Sequence, residues 1–196
     1  MPLTRRDALR KIAVGGAAAA TAPLWVEALA AAAGQHAAHY QAQAAAAAWS
    51  PRALTPAQNR AVVALAELII PQTETAGAAR ANVNQFIDAV IADASATDRQ
   101  KFLDGLAWVD ARSRRDAGVG FAEAPAAQQT ALLTSLSTTT APGPEEAAGV
   151  EFFKAIKALT ITGYYTSEVG LREEMNDDGN LFFADFKGCT HPEHRN

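Results

Sequence analysis

The stretch ANVNQFIDAVIAD, residues 81–93, decides the fold class. Val83, Phe86, Ile87, Val90 and Ile91 fall at i, i+3, i+4, i+7 and i+8. That spacing gathers one apolar stripe along an α-helix, whereas a half-buried strand would alternate. The helical period continues on both sides. Upstream, LTPAQNRAVVALAELIIPQT places Thr55 as N-cap, Pro56 at the first helical position and Gln58 where it closes a capping box. Val62, Leu65 and Ile69, with Val63 and Leu68, form the stripe, and Pro71 stops the helix. The loop QTETAGAA joins the two. Downstream, ATDRQKFL repeats the capping-box spacing with Thr97 and Gln100, and Phe102, Leu103, Leu106 and Val109 predict a third buried face, with Trp108 beside it. Arg112, Arg114 and Arg115 crowd the last turn, where they suit the helix dipole, and Gly118 ends it.

Further along, Pro125 opens a short helix with Leu132, Leu133 and Leu136, and the Thr-rich connector STTTAPGP follows. Pro144, Glu145 and Glu146 start a long helix through Val150, Phe153, Ile156, Lys157 and Leu159. Beyond Gly170 the pattern loosens into MNDDGNLFFADFKGCTHPEHRN, rich in Asp, Gly and aromatics. No strand alternation and no long repeat is present. The expectation is all-α: an irregular helical domain with an N-terminal signal helix and an extended, loop-rich C-terminal tail. The layout is a signal segment over 1–33, an Ala-rich connector over 34–54 and a helical domain over 55–196, with the C-terminal extension starting near 171.

The leader MPLTRRDALRKIAVGGAAAA reads as a twin-arginine export signal, an address read by a translocon and not an anchor. Thr4 precedes Arg5 and Arg6, Leu9, Arg10 and Lys11 follow, and Ala8 stands where Phe is usual. Gly15, Gly16, Pro23 and Glu27 leave the segment too poor in large apolar side chains for a membrane span. Small residues from Ala28 to Ala33 offer several cleavage sites, and an uncleaved helical leader is the alternative. The twin-arginine route carries folded cargo, so something must fold before this chain crosses.

Composition narrows the function. At 196 residues the chain is one domain plus its leader. Without residues 1–33 it holds 13 basic and 19 acidic side chains, net −6, and no basic, aromatic-interleaved run, which argues against nucleic acid as a partner. Much of the apolar content is alanine, which buries little area, so a partner's surface is an expected source of stability. The single cysteine, Cys189, has no internal partner and is either free or bridged to another chain.

Motifs for chemistry are few. GVGFAE at Gly118–Glu123 lacks the third glycine and follows a helix, so it is not a dinucleotide loop. There is no CxxCH, HExxH or GxSxG. Cys189, His191 and His194, with His36 and His39 as additional imidazoles, have metal-ligating chemistry but no scaffold, and a free-standing exported metal-binding protein is the alternative function they define. EMNDDGNLFFAD echoes a calcium-loop register through Glu174, Asn176, Asp178, Gly179 and Leu181, though an Asp-Gly turn explains the same letters. In TITGYYTSEVGLREEM, Tyr164 and Tyr165 fit a packed helix end, a contact surface, or a Tyr165–Ser167 catalytic pair that has no visible base.

GYYTSEVGLREEM followed by FKGC resembles the C-terminal signature of the gluconate 2-dehydrogenase subunit 3 family. LIIPQTETAGAARANVNQFIDAVI, Leu68 to Ile91, resembles that family's other recurring stretch, with Ala76 where a proline commonly precedes the loop glycine. With the leader, the resemblance covers most of the chain. It implies a non-catalytic small subunit that binds no cofactor itself. The FAD would sit in a catalytic, GMC-type dehydrogenase subunit acting on sugars, sugar acids or polyols, with a cytochrome c subunit as a further partner. The small subunit would escort the folded flavoprotein through the twin-arginine translocon to a periplasmic, membrane-associated complex. On this reading Tyr164, Tyr165, Phe182, Phe183 and Phe186 face the catalytic subunit, and Cys189 is the candidate for an intersubunit disulfide.

Overall fold

The computed structural model describes residues 24–29, 31–32 and 49–177, and within them every regular element is helical. The helices are α1 (Pro56–Ile69), α2 (Val83–Asp93), α3 (Ala96–Ala117), α4 (Ala126–Thr138) and α5 (Pro144–Tyr165). A 3-10 turn, Phe121–Glu123, links α3 to α4, and a π-helical turn, Gly170–Glu174, follows α5. Residues 24–29 are also helical. The expected all-α class holds. The chain does not loosen at Gly170 as its sequence suggests; it winds on for one wide turn, with the Met175 N–H donating to the Gly170 carbonyl at 3.1 Å.

Local signals set the ends. Thr55 and Gln58 form the anticipated reciprocal capping box, with Gln58 N–H donating to Thr55 Oγ1 at 3.2 Å and Thr55 N–H to Gln58 Oε1 at 2.8 Å. α3 starts differently from expectation. Ser95 is its N-cap, accepting from Asp98 N–H at 3.1 Å, so the Thr97–Gln100 pair lies inside the helix. The reason is tight chain reversal. The Arg99 guanidinium reaches back to the carbonyls of Ile91, Ala92 and Ala94 at 2.9–3.1 Å, satisfying the end of α2 with the first turn of α3. Gly118 closes α3 at φ +76°, a left-handed value that a side chain resists.

The core gathers around α5, which packs against all four other helices. Phe152, Ile156, Leu159 and Tyr164 on α5 are essentially inaccessible, as are Phe86, Ile87 and Ile91 from α2 and Phe102 from α3. Burial of each such side chain contributes about 1.5–3 kcal/mol. Two glycines set how closely α3 and α5 approach. The Phe152 side chain lies over Gly105, and the Trp108 ring lies over Gly149, so a Cβ at either glycine would overlap an aromatic ring or its stem. Trp108 also donates its indole N–H to the Glu145 carbonyl at 2.7 Å, and Phe102 meets Phe152 edge-on at 5.1 Å. Few large residues thus do much of the packing, because glycines let them seat deeply.

Two buried or half-buried carboxylates tie irregular backbone to this core. Asp88, 1% exposed, accepts from the N–H groups of Arg52, Ala53 and Leu54 at 2.7, 3.0 and 2.9 Å, pinning the segment before α1 onto α2. Asp110 accepts from Phe121 N–H at 2.9 Å and from Arg114 Nη2 at 2.6 Å. Burial works to raise the Asp110 pKa. The Arg114 hydrogen bond, the Phe121 N–H and the Arg114 charge outweigh it, and the net displacement is downward.

Gly149→Ala is expected to lower the unfolding free energy by about 1–3 kcal/mol through overpacking against Trp108, read by urea denaturation. A wild-type midpoint in that variant would show that Trp108 moves aside freely. For Asp110, a depressed folded pKa means that its contribution is present above the unfolded value of about 3.9 and is lost as pH falls through the lower folded value. Asp110→Asn should therefore flatten the acid limb of the Tm-against-pH curve, and parallel acid limbs would rule the linkage out.

Candidate functional site

Two segments distant in sequence meet at the C-terminal end of α5. The first is the loop between α1 and α2. Glu67, in the last turn of α1, accepts from Gln72 N–H at 2.7 Å and from Ala79 N–H at 2.9 Å, so one carboxylate holds both limbs of the loop. Ala78 N–H closes it further onto the Ile70 carbonyl at 2.9 Å. Gly77 sits against that carboxylate and the Gln72 nitrogen, where a Cβ would meet both. Glu67 thus shapes the loop from within, before any contact with the rest of the chain is counted.

The second segment runs from Tyr164 to Glu174 and addresses Ala76 from both sides. The Tyr164 phenol donates to the Ala76 carbonyl at 2.7 Å, and Ala76 N–H donates to Glu173 Oε2 at 3.1 Å. Thr75 Oγ1 donates to Glu174 Oε2 at 2.7 Å. Arg80 lies 3.5 Å from the other Glu173 oxygen, an exposed pair that adds little by itself. Ser167 stabilises the turn, donating to the Tyr164 carbonyl at 2.6 Å and accepting from Gly170 N–H at 3.0 Å. Its hydroxyl therefore caps the end of α5 and does not stand as a nucleophile beside Tyr165. Two turns before Tyr164, the half-buried Lys157 has its pKa pushed down by desolvation.

Tyr164 requires a correction. Its side chain has no exposed surface, so in this chain it is a core staple and not a contact residue. The cause is local: Gly163 lets the end of α5 settle against the Phe86 ring, which draws the neighbouring phenol inward. Tyr165 remains half-buried, its ring edge-on to Tyr164 at 5.3 Å. Beside it the π-helical turn ends in Met175, which is 58% exposed. Glu174, first in the calcium-like register, is engaged by Thr75. Among the described residues no group of three or more His, Cys, Asp or Glu side chains is placed to hold a metal. Arg5, Arg6, His36, His39, Phe182, Phe183, Phe186, Cys189, His191 and His194 lie outside the described residues.

Sequence reasoning missed three structural carboxylates, Glu67 and Glu173 in this region and Asp88 beneath the segment before α1. Glu67 and Glu173 gave no periodic signal. Asp88 did give one, since Asn84 and Asp88 stand four apart beside Ile87 and Ile91, and both polar residues are buried. A charge on the edge of an apolar stripe marks a buried acceptor seeking backbone donors.

The gluconate 2-dehydrogenase subunit 3 family matches residues 56–178, from the first residue of α1 to just beyond the clamp on Ala76, and the chain belongs to that family. No curated protein and no solved structure matches it. Leu68 to Ile91 and GYYTSEVGLREEM both fall within the match, while FKGC lies beyond it, and the structure brings the first two into contact through Tyr164, Glu173 and Glu174. Membership implies a subunit associated with a membrane-bound dehydrogenase complex. Among the described residues no helix is long and apolar enough to cross a membrane.

Tyr164→Phe removes the donor from a buried carbonyl and is expected to cost about 1–3 kcal/mol. The loss should concentrate in the loop, as faster amide exchange over residues 72–79 than over α3. Uniform acceleration across the chain would show that the phenol is not a local clamp.

Proposed function

We propose that this chain is the non-catalytic small subunit of a periplasmic, membrane-associated, FAD-dependent dehydrogenase for sugars, sugar acids or polyols. In this role it matures and stabilises the catalytic flavoprotein subunit and carries it through the twin-arginine translocon. The family match over residues 56–178 is the observation that carries the reading. The leader with Arg5 and Arg6 supports the export part. So does topology: the clamp joins residues 88 to 99 positions apart, so it closes only when nearly the whole chain is available. A protein built this way suits a route for folded cargo.

The catalytic subunit, of GMC type, holds the FAD in this proposal, and a cytochrome c subunit receives its electrons. The contact surface is assigned to Tyr165 and to Phe182, Phe183 and Phe186, with Cys189 bridged to the catalytic subunit. Aromatic side chains are the common anchors of such interfaces.

A tagged chain recovered from its native host should bring down a larger protein with flavin absorbance. A lone, colourless, folded monomer of 20.6 kDa would overturn the reading. Replacing Arg5 and Arg6 by Lys should strand both proteins in the cytoplasm. Replacing Phe182, Phe183 and Phe186 by Ala should weaken the pair by about tenfold or more. On a non-reducing gel Cys189 should give a mixed-disulfide band that Cys189→Ser abolishes.

A further inference from the structure

Residues 24–29 fall within the segment that the sequence assigns to the leader, yet they are packed as part of the body. Trp25, Val26 and Leu29 are 6%, 5% and 1% exposed and belong to the same buried cluster as the helices, while Leu24 is 84% exposed. Ala32 packs against that cluster as well. The sequence of buried and exposed positions, with 25, 26, 29 and 32 inward and 24, 27, 28 and 31 outward, is that of a surface helix seated on a core. Its polar atom is also satisfied: the Trp25 indole N–H donates to Glu151 Oε2 on α5 at 3.2 Å, across 126 residues of sequence. A buried tryptophan that finds a partner for its N–H is the mark of a specific seat.

A transit segment discarded on arrival has no reason to contribute three core side chains and a hydrogen bond. We infer that residues 24–29 are a permanent part of the mature subunit and that any processing of the leader falls ahead of Leu24. Peptidases that remove leaders need an extended substrate with small side chains at the cleavage site. Two kinds of site exist in the chain. Ala28 to Ala33 includes helical positions around the buried Leu29, and a cut there would detach Trp25 and Val26, with Leu29 lost or left at the new end. The windows Ala18-Ala19-Ala20 and Ala20-Thr21-Ala22 lie upstream and spare the docked helix. Folding of the body therefore selects between them, because Ala28, Leu29, Ala31 and Ala32 are wound into helix once Trp25 seats on Glu151 and no longer offer an extended backbone.

The inference rests on the export reading for its first test and stands apart from it in the second. In the first, the form recovered from the periplasm is analysed by intact mass and N-terminal sequencing. An N-terminus at or before Leu24, including a retained leader, supports the inference, and any N-terminus beyond Leu24 overturns it. A chain found only in the cytoplasm counts against export, and the decision then passes to stability alone. In the second test, full-length chains carrying Trp25→Ala with Leu29→Ala, or Leu24→Ala, are melted. The double variant should lose about 5 °C or more in Tm, and the exposed-site variant about 1 °C or less. If the double variant does not fold, Trp25→Phe, which keeps the ring and removes the N–H donor, should still lower Tm measurably. Equal melting of wild type, the buried-site variants and Leu24→Ala would overturn the docked role outright.

Discussion

The rest of the structure depends on how Ala76 is held, because that one peptide position is where the beginning and the end of the domain are joined. Its carbonyl takes the Tyr164 phenol and its N–H goes to Glu173, so the loop is fixed in orientation as well as position. Each bond alone is an ordinary net contribution of about 1 kcal/mol. Their effect is larger than that sum suggests, since they act on a loop already preshaped by Glu67 and on a phenol already immobilised by burial. The entropy of closing the loop is met once and shared by all four contacts from the C-terminal segment. Disturbing Tyr164 therefore releases the loop, and with it the connection between α1 and α2.

A chain whose apolar content is largely alanine has to concentrate its packing, and α5 is where it does so. The helix offers large residues on several sides and glycines at the two places where another ring must come close. Phe152 over Gly105 and Trp108 over Gly149 are reciprocal: each helix contributes one ring and one vacancy. The exchange draws α3 and α5 together without many large side chains. It also makes the core intolerant of added volume, since the vacancies are filled from the opposite helix.

Helical periodicity was the part of the fold open to sequence reading. The stripe Val83, Phe86, Ile87, Val90 and Ile91 lies wholly in the core, and the Thr55–Gln58 box and Gly118 stop behave as their residue types dictate. The cap of α3 was misplaced by two residues because Arg99 satisfies the preceding helix end, a contact between neighbours in space that no local pattern encodes. The candidate site was legible only in pieces. GYYTSE and the Thr- and Gly-containing loop stood out as separate signatures, but nothing in their letters said that they touch. Tyr164 and Tyr165 look alike in sequence and differ in burial because Gly163 lets one side of α5 sink against Phe86.

The long-range closures share a direction. The Ala76 clamp waits for residues up to Glu174, and Trp25 waits for Glu151, so neither end of the domain is complete until α5 is in place. One helix thus receives residues 24–29 on its Glu151 side and the loop between α1 and α2 at its C-terminal end. A leader tethered to a half-folded body would have an undocked Trp25 and exposed apolar side chains beside it, whereas a finished body hides both. The same packing that holds the domain together therefore ties the seating of Trp25 to the completion of α5, and on the proposed export function that seating would distinguish a finished body from a half-folded one.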